Sequence, residues 1–220
     1  MHKLNQYKGF DIIEDHSDFL IINKHAGINV HKTKNEKGLI DYIYEQIHIK
    51  VLLCHRLDKD TSGLMVLGKS ANSTGIISQL FANKTIEKRY IAISCDAPKK
   101  KQGKVVGDLV VSRNGNYKLA KTKEKPSITE FTSSNLIPKR RAWKLKPITG
   151  KTHQLRVVLK SLGSPILGDK RYSKDKAQRM YLHCFHLSFK YKNSTFNFDY
   201  LPLDLEFSLL KHLPDNWLSA

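Results

Sequence analysis

The stretch that decides how the chain is read is His55-Arg56-Leu57-Asp58-Lys59-Asp60-Thr61-Ser62-Gly63. An apolar run, Val51-Leu52-Leu53-Cys54, leads into it and another, Leu64-Met65-Val66-Leu67, leads out, so it reads as a polar loop between two strands. Asp, Ser, Thr and Gly are turn-forming residues and account for much of its composition without any function. They do not account for three charged side chains, Arg56, Asp58 and Asp60, in one connection beside apolar strands, where a carboxylate needs a partner or a task.

Upstream of the loop, residues 10–14 and 19–23 read as two short strands joined by the turn Asp15-His16-Ser17-Asp18. Lys24-His25-Ala26-Gly27 follows, with Gly27 able to supply positive φ. Ile40, Ile43, Tyr44 and Ile47 then fall at i, i+3, i+4, i+7 spacing and predict a helix over 39–48. Downstream, Ser70 can cap a helix with Ile76, Ile77, Leu80 and Phe81 on one face, ending near Asn83-Lys84. Residues 87–93, rich in β-branched side chains, read as a strand with Tyr90 near its start. The stretch 98–126 carries nine Lys or Arg against only Asp108 and Glu124, with Gly103, Gly107 and Gly115 interspersed. It reads as an exposed basic excursion, disordered in part, that offers phosphates a contact surface. Two strands, 128–132 and 142–148, flank the basic turn Pro138-Lys139-Arg140-Arg141.

The second informative stretch is Thr149-Gly150-Lys151-Thr152-His153-Gln154-Leu155-Arg156, which opens a helix. Thr152 can serve as its cap, Leu155, Val158, Leu159 and Leu162 form its buried stripe, and Gly163 can end it. The start of a helix favours anions, so a guanidinium in its first turn, Arg156, points either to a specific carboxylate or phosphate or to a plain surface arginine. Beyond the turn at 165–169, residues 182–191 and 195–200 read as a strand pair, and Asp204 can cap a last helix carrying Leu205, Leu209, Leu210 and Leu213. With no internal repeat or linker, the expected architecture is α+β: one domain over residues 1–220 with a largely antiparallel, mixed sheet flanked by helices and loops.

Composition narrows the function class. Thirty-eight Lys and Arg against 20 acidic residues give a net charge of +18, beyond what solubility requires, and point to a polyanionic partner. No 18-residue apolar run and no signal-peptide pattern is present, so a cytoplasmic protein without membrane contact is expected. Cys54, Cys95 and Cys184 are odd in number and widely spaced, which predicts reduced thiols and no metal site.

The pattern His-Arg-Leu-Asp-x-x-Thr-Ser-Gly, followed by Gly-Lys-Thr-His-Gln-Leu-Arg, resembles the RluA-type RNA pseudouridine synthases. The resemblance runs from Asn23-Lys24-His25-Ala26-Gly27 through residues 55–63, Lys88-Arg89-Tyr90, 148–156 and 163–169 to Leu182-His183. It implies the pseudouridine synthase catalytic fold. It also implies an isomerase that detaches uracil from ribose C1′, rotates it and rejoins it through C5, without a cofactor. Asp58 is implied as the catalytic aspartate, attacking C1′ or removing the 2′ proton, with Arg156 beside it and Tyr90 stacking on the uracil. Arg56 inherits a base-flipping role, and His55, Lys151, His153 and Gln154 are implied as further RNA contacts. The expected partner is structured RNA, tRNA or rRNA, bound by a monomer with no obligate protein partner. Some members carry an S4-type domain ahead of the core, whereas here the core pattern begins near residue 10. His25, Val158 and Ser164 depart from the usual proline, histidine and histidine of the pattern, which leaves the subfamily open.

Two other classes compete. Asp58 and Asp60 could form an Asp-x-Asp pair for metal-dependent phosphoryl transfer, although Arg56 opposes a cation and no third acidic cluster is evident. A non-catalytic RNA-binding module or RNA chaperone on the same fold would share the basic surface, but all three catalytic positions are filled.

Overall fold

The computed structural model describes residues 6–214 and 216–218. Its backbone contacts group into two compact units, residues 1–87 with 184–200 and residues 88–183 with 201–220.

The first unit begins with β1 (Gln6–Tyr7), β2 (Phe10–Asp15), β3 (Phe19–Lys24), α1 (Leu39–Ile47), β4 (Leu52–Leu53), β5 (Ser62–Gly68) and α2 (Ala71–Ala82). Strands β2 and β3 form the expected hairpin, with a register shift between Ile12 and Glu14. Strand β3 pairs antiparallel with β5, and both are buried along their whole length, which is why they read as continuous apolar runs rather than alternating ones. Their register sets Lys24 opposite Gly63. That pairing carries the Lys24–Gly27 segment to the end of the Asp58 loop. Helix α2 starts on Ser70, whose hydroxyl accepts the Ser73 N–H while the Ser73 hydroxyl accepts the Ser70 N–H, a reciprocal cap.

The second unit contains β6 (Glu87–Ser94), β7 (Gln102–Gly107), β8 (Leu109–Val111), β9 (Tyr117–Leu119), β10 (Ser127–Ile137), β11 (Arg140–Pro147) and α3 (Gln154–Ser161). Its strand order is β6-β11-β10-β7, antiparallel throughout, with β8 and β9 as a separate two-stranded hairpin. Trp143 on β11 is fully buried and donates its indole N–H to Ser94 Oγ at 2.8 Å. Ser94 Oγ in turn meets Ser164 Oγ at 2.7 Å, and Ser164 reaches the Asp96 carbonyl at 2.6 Å. The serine that departs from the usual pattern thus completes a satisfied buried network. The last two strands, β12 (Leu182–Tyr191) and β13 (Ser194–Asp199), pair antiparallel and belong to the first unit from Cys184 on. There Phe19 meets Phe189, Tyr191 and Phe196 edge to face at 5.1–5.6 Å.

The α+β class and its antiparallel pairing agree with the sequence reading, and three local expectations do not. The basic excursion is not disordered over 102–119, because β7 pairs with β10 and Asp108 holds the hairpin. The Asp108 carboxylate accepts the N–H groups of Glu124 and Lys125 at 3.0 Å each, and its backbone exchanges bonds with Thr122 and Ala120. The hydrogen-bonding Thr122 side chain lowers the Asp108 pKa. Thr152 does not cap α3; His153 precedes the helix with φ 56, and Gln154 N–H bonds the Lys151 carbonyl. The last helix is a 3-10 helix, Leu205–His212, without a side-chain cap from Asp204. Its buried residues are Phe207 and Leu210, and a three-residue spacing suits the 3-10 form, in which positions i and i+3 eclipse.

Candidate active site

In the first unit, Asp58 heads the turn Asp58-Lys59-Asp60-Thr61, closed by the Thr61 N–H on the Asp58 carbonyl at 3.1 Å. Leu57, Thr61 and Ser62 are buried around it while the Asp58 side chain is half-buried. The turn is braced from below by a residue whose role the sequence reading missed. Lys24, 0% exposed, donates its ammonium to the carbonyls of His25, Ile28 and Lys59 at 2.9, 2.9 and 3.0 Å. The Lys59 carbonyl also accepts the Gly27 N–H at 2.9 Å. A buried ammonium is stable only with such oxygen partners, so the Lys24–Gly27 segment and the Asp58 turn are tied at one point. The signal was available: a lysine closing an otherwise apolar strand. Gly63 follows with φ +118, and a Cβ there would lie 2.3 Å from the Cys184 carbonyl oxygen, so only glycine lets the loop leave into β5.

Arg56 is exposed and makes no hydrogen bond or ion pair among the described residues, leaving its guanidinium to the solvent side of the loop. Its neighbour His55 points inward. The ring stacks on Phe81 at 4.2 Å and its Nε2 accepts the Val66 N–H at 3.1 Å, which assigns the proton to Nδ1. Cys54 and Cys184 are buried and Cys95 is half-buried, none of them in a disulfide, and burial pushes the Cys54 thiol up to about 11. Asp60 is half-buried. Among the described residues no three His, Cys, Asp or Glu side chains cluster as metal ligands, and no helix is long and apolar enough to cross a membrane.

In the second unit, Arg156 is the third residue of α3 and is buried. Asp169 holds it bidentately, Nε at 2.8 Å and Nη2 at 2.7 Å, with the two side chains 7% and 0% exposed. Asp169 also accepts the N–H groups of Arg171 and Tyr172 at 3.0 and 3.2 Å, and the Tyr172 ring lies 5.1 Å from the guanidinium carbon. Of the two readings open for Arg156, the surface arginine is thereby excluded. Gly168, φ +77, is what delivers Asp169; a Cβ on it would lie 1.7 Å from the Arg179 carbonyl oxygen.

The other residues of this stretch divide by exposure. Gln154 is buried, its amide oxygen accepting from Thr149 and Lys151 and its amide nitrogen donating to Ile128 and Thr129. With both groups used, Gln154 braces the loop. Lys151 is half-buried and donates to the Lys125 carbonyl. His153 is half-buried, its Nδ1 3.0 Å from the Tyr172 hydroxyl. Tyr90, on β6, is 9% exposed and pairs with Leu145 across the sheet.

A family model described as RNA pseudouridylate synthase matches residues 18–161, a span that contains Asp58, Tyr90 and Arg156. The chain belongs to the RluA-like RNA pseudouridine synthases. It is therefore an isomerase acting on RNA. An uncharacterized RNA pseudouridine synthase of Haemophilus influenzae is 48% identical over 200 residues, covering 90% of this chain and 89% of that protein. A dual-specificity RNA pseudouridine synthase, RluA, of Pasteurella multocida is 30% identical over 191 residues, covering 82% and 87%. The solved human RNA pseudouridylate synthase domain containing 1 superposes with a TM-score of 0.77 over 92% of this chain and 87% of that one, at 24% identity, a likeness of fold.

Proposed function

We propose that this pseudouridine synthase isomerises specific uridines of structured RNA, tRNA or rRNA, with Asp58 as the catalytic carboxylate. The observation that carries the reading is the Asp58 turn. A half-buried carboxylate stands on a loop that a fully buried lysine, a glycine with φ +118 and a turn hydrogen bond all hold in place. Preorganisation of that kind costs stability and is expected where a group must meet a reacting atom.

The chemistry conserves atoms. The N1–C1′ bond breaks, uracil turns, C5 bonds to C1′, and the proton on C5 leaves while N1 takes one up. Asp58 starts it, either as nucleophile at C1′ or as base at the 2′ position; both need the ionised carboxylate. Arg156 supplies the positive charge that favours that form, and Tyr90 stacks on the uracil and handles the C5 proton. Arg56, exposed and unpaired among the described residues, braces the place that the flipped nucleotide vacates, at a cost of a few kcal/mol for unstacking. The lysines and arginines of 98–126, together with Lys151, hold the A-form backbone.

The test is Asp58→Asn on RNA transcribed with 5-tritiated uridine. Tritium release, which reports loss of the C5 hydrogen, should vanish while filter-binding affinity stays within about threefold of the parent. Release at the parent rate would remove Asp58 from the reaction. A parent protein that binds RNA and releases no tritium would favour the non-catalytic module.

A further inference from the structure

We propose that Tyr172 is a positioning residue that couples RNA held on the basic hairpin to the guanidinium of Arg156. The inference rests on the reading of Arg156 as the working cation and adds to it a route from the RNA-holding surface.

The β8–β9 hairpin and the connection that follows it carry Arg113, Lys118, Lys121, Lys123 and Lys125, all exposed and none ion-paired among the described residues. Five such cations on one arm suit a phosphate backbone. The arm is held at its base by Asp108, whose carboxylate takes the Glu124 and Lys125 N–H groups, while farther out it is open, with Val111 69% exposed. Beyond that base it is tied to the turn at Asp169–Tyr172. The Tyr117 N–H donates to the Tyr172 hydroxyl at 2.9 Å, and Arg171 reaches the Asn114 carbonyl and Asn116 Oδ1 at 3.4 and 3.3 Å.

The same tyrosine reaches the start of α3. Its hydroxyl lies 3.0 Å from His153 Nδ1, and the His153 ring packs edge-on between Tyr117 and Tyr172, 5.7 Å from each. Its ring face lies 5.1 Å from the Arg156 guanidinium carbon, and its own N–H bonds the Asp169 oxygen that holds Arg156 Nη2. The hydroxyl makes the hydrogen bond to the arm, while the ring and the backbone meet the guanidinium and its clamp. The two contacts are therefore separable by substitution. The phenol is buried, 7% exposed, and burial raises its pKa, so it stays protonated and able to pair with both neighbours at neutral pH.

Tyr172→Phe removes the hydroxyl's bonds to Tyr117 and His153 and leaves the ring against Arg156. It should slow single-turnover tritium release from tRNA and rRNA transcripts by about tenfold, with RNA affinity changed less than about threefold. Lys118→Ala with Lys121→Ala should weaken affinity, and in that background Tyr172→Phe should cost less than about threefold, since an arm that holds no phosphate has nothing to transmit. Tyr172→Phe turning over at the parent rate would overturn the proposal. So would an equal factor in both backgrounds, which is what a merely structural hydroxyl would give. Failure of the underlying reading looks different: Arg156→Met would then retain the parent rate whatever stands at 172.

Discussion

Replacing Asp169 by asparagine tests whether Arg156 is held from within its own unit. The substitution keeps shape and keeps an oxygen for the N–H groups of Arg171 and Tyr172, now at 3.0 and 3.2 Å. It puts an amide N–H₂ where a carboxylate oxygen accepts Arg156 Nε at 2.8 Å, turning a charge-assisted bond into a meeting of two donors. The guanidinium, 7% exposed, loses the counter-charge that Asp169 supplies. Breaking a buried pair from one side costs about 3–5 kcal/mol. In a chain of this length that lowers the unfolding midpoint by about 6–20 °C, at about 2–4 °C per kcal/mol. Urea titration of Asp169→Asn at neutral pH reads the loss directly. The double variant Arg156→Met, Asp169→Asn removes both charges and should recover most of it, because an apolar replacement of a whole buried pair is often neutral. A single-variant loss below about 1 kcal/mol, or a double variant as unstable as the sum of its parts, would refute the assignment of Asp169 as the clamp.

Lys24→Met retains the length of the side chain and strands the three carbonyls that its ammonium serves, so it should cost about 2–4 kcal/mol by urea titration and loosen the Asp58 turn, lowering turnover more than RNA affinity. Glu206 is partnered by Arg140, whose hydrogen bond lowers the Glu206 pKa below its ordinary 4.5. A depressed carboxylate stabilises the fold above its unfolded pKa and loses that contribution as pH falls through the folded one. The gap in urea midpoint between the parent and Glu206→Gln should therefore be constant above pH 4.5 and close below it, and a gap that persists into strong acid would rule the pair out. RNA affinity should fall linearly on a log–log plot against salt, with Lys118→Ala and Lys121→Ala each reducing the slope by about one; a flat plot would contradict the phosphate surface.

Strand and helix positions were legible where burial is one-sided or complete. The run Leu64–Leu67 is apolar throughout because β5 is covered on both faces, and Ser70 announces α2 because a hydroxyl there satisfies an N–H that the helix cannot. What escaped the sequence were contacts set by register and by distant partners. Nothing near residues 98–126 shows that Asp108, one of only two acids in a basic stretch, takes two backbone N–H groups 16 and 17 positions away. Composition counts that carboxylate as a minority charge, and the fold uses it as the staple. The bracing bonds of Gln154 escaped for a related reason. A glutamine in a polar motif looks available to a ligand until Thr149, Lys151, Ile128 and Thr129 are seen to surround it.

Arg156 shows how far a local argument reaches. A cation at a helix start opposes the backbone dipole, so the sequence alone asks for a compensating anion. The resemblance supplied one, Asp58, and the structure supplies another from thirteen residues downstream. The two are compatible because a guanidinium has five N–H groups, and Asp169 takes two of them along one edge. A clamp on that edge fixes the plane and the direction of the remaining three. An arginine oriented before substrate arrives need not lose its rotamer freedom in the reaction, and that freedom is worth about 2 kcal/mol. The Asp169 carboxylate, which takes no part in the proposed chemistry, is then what makes Arg156 serviceable to it.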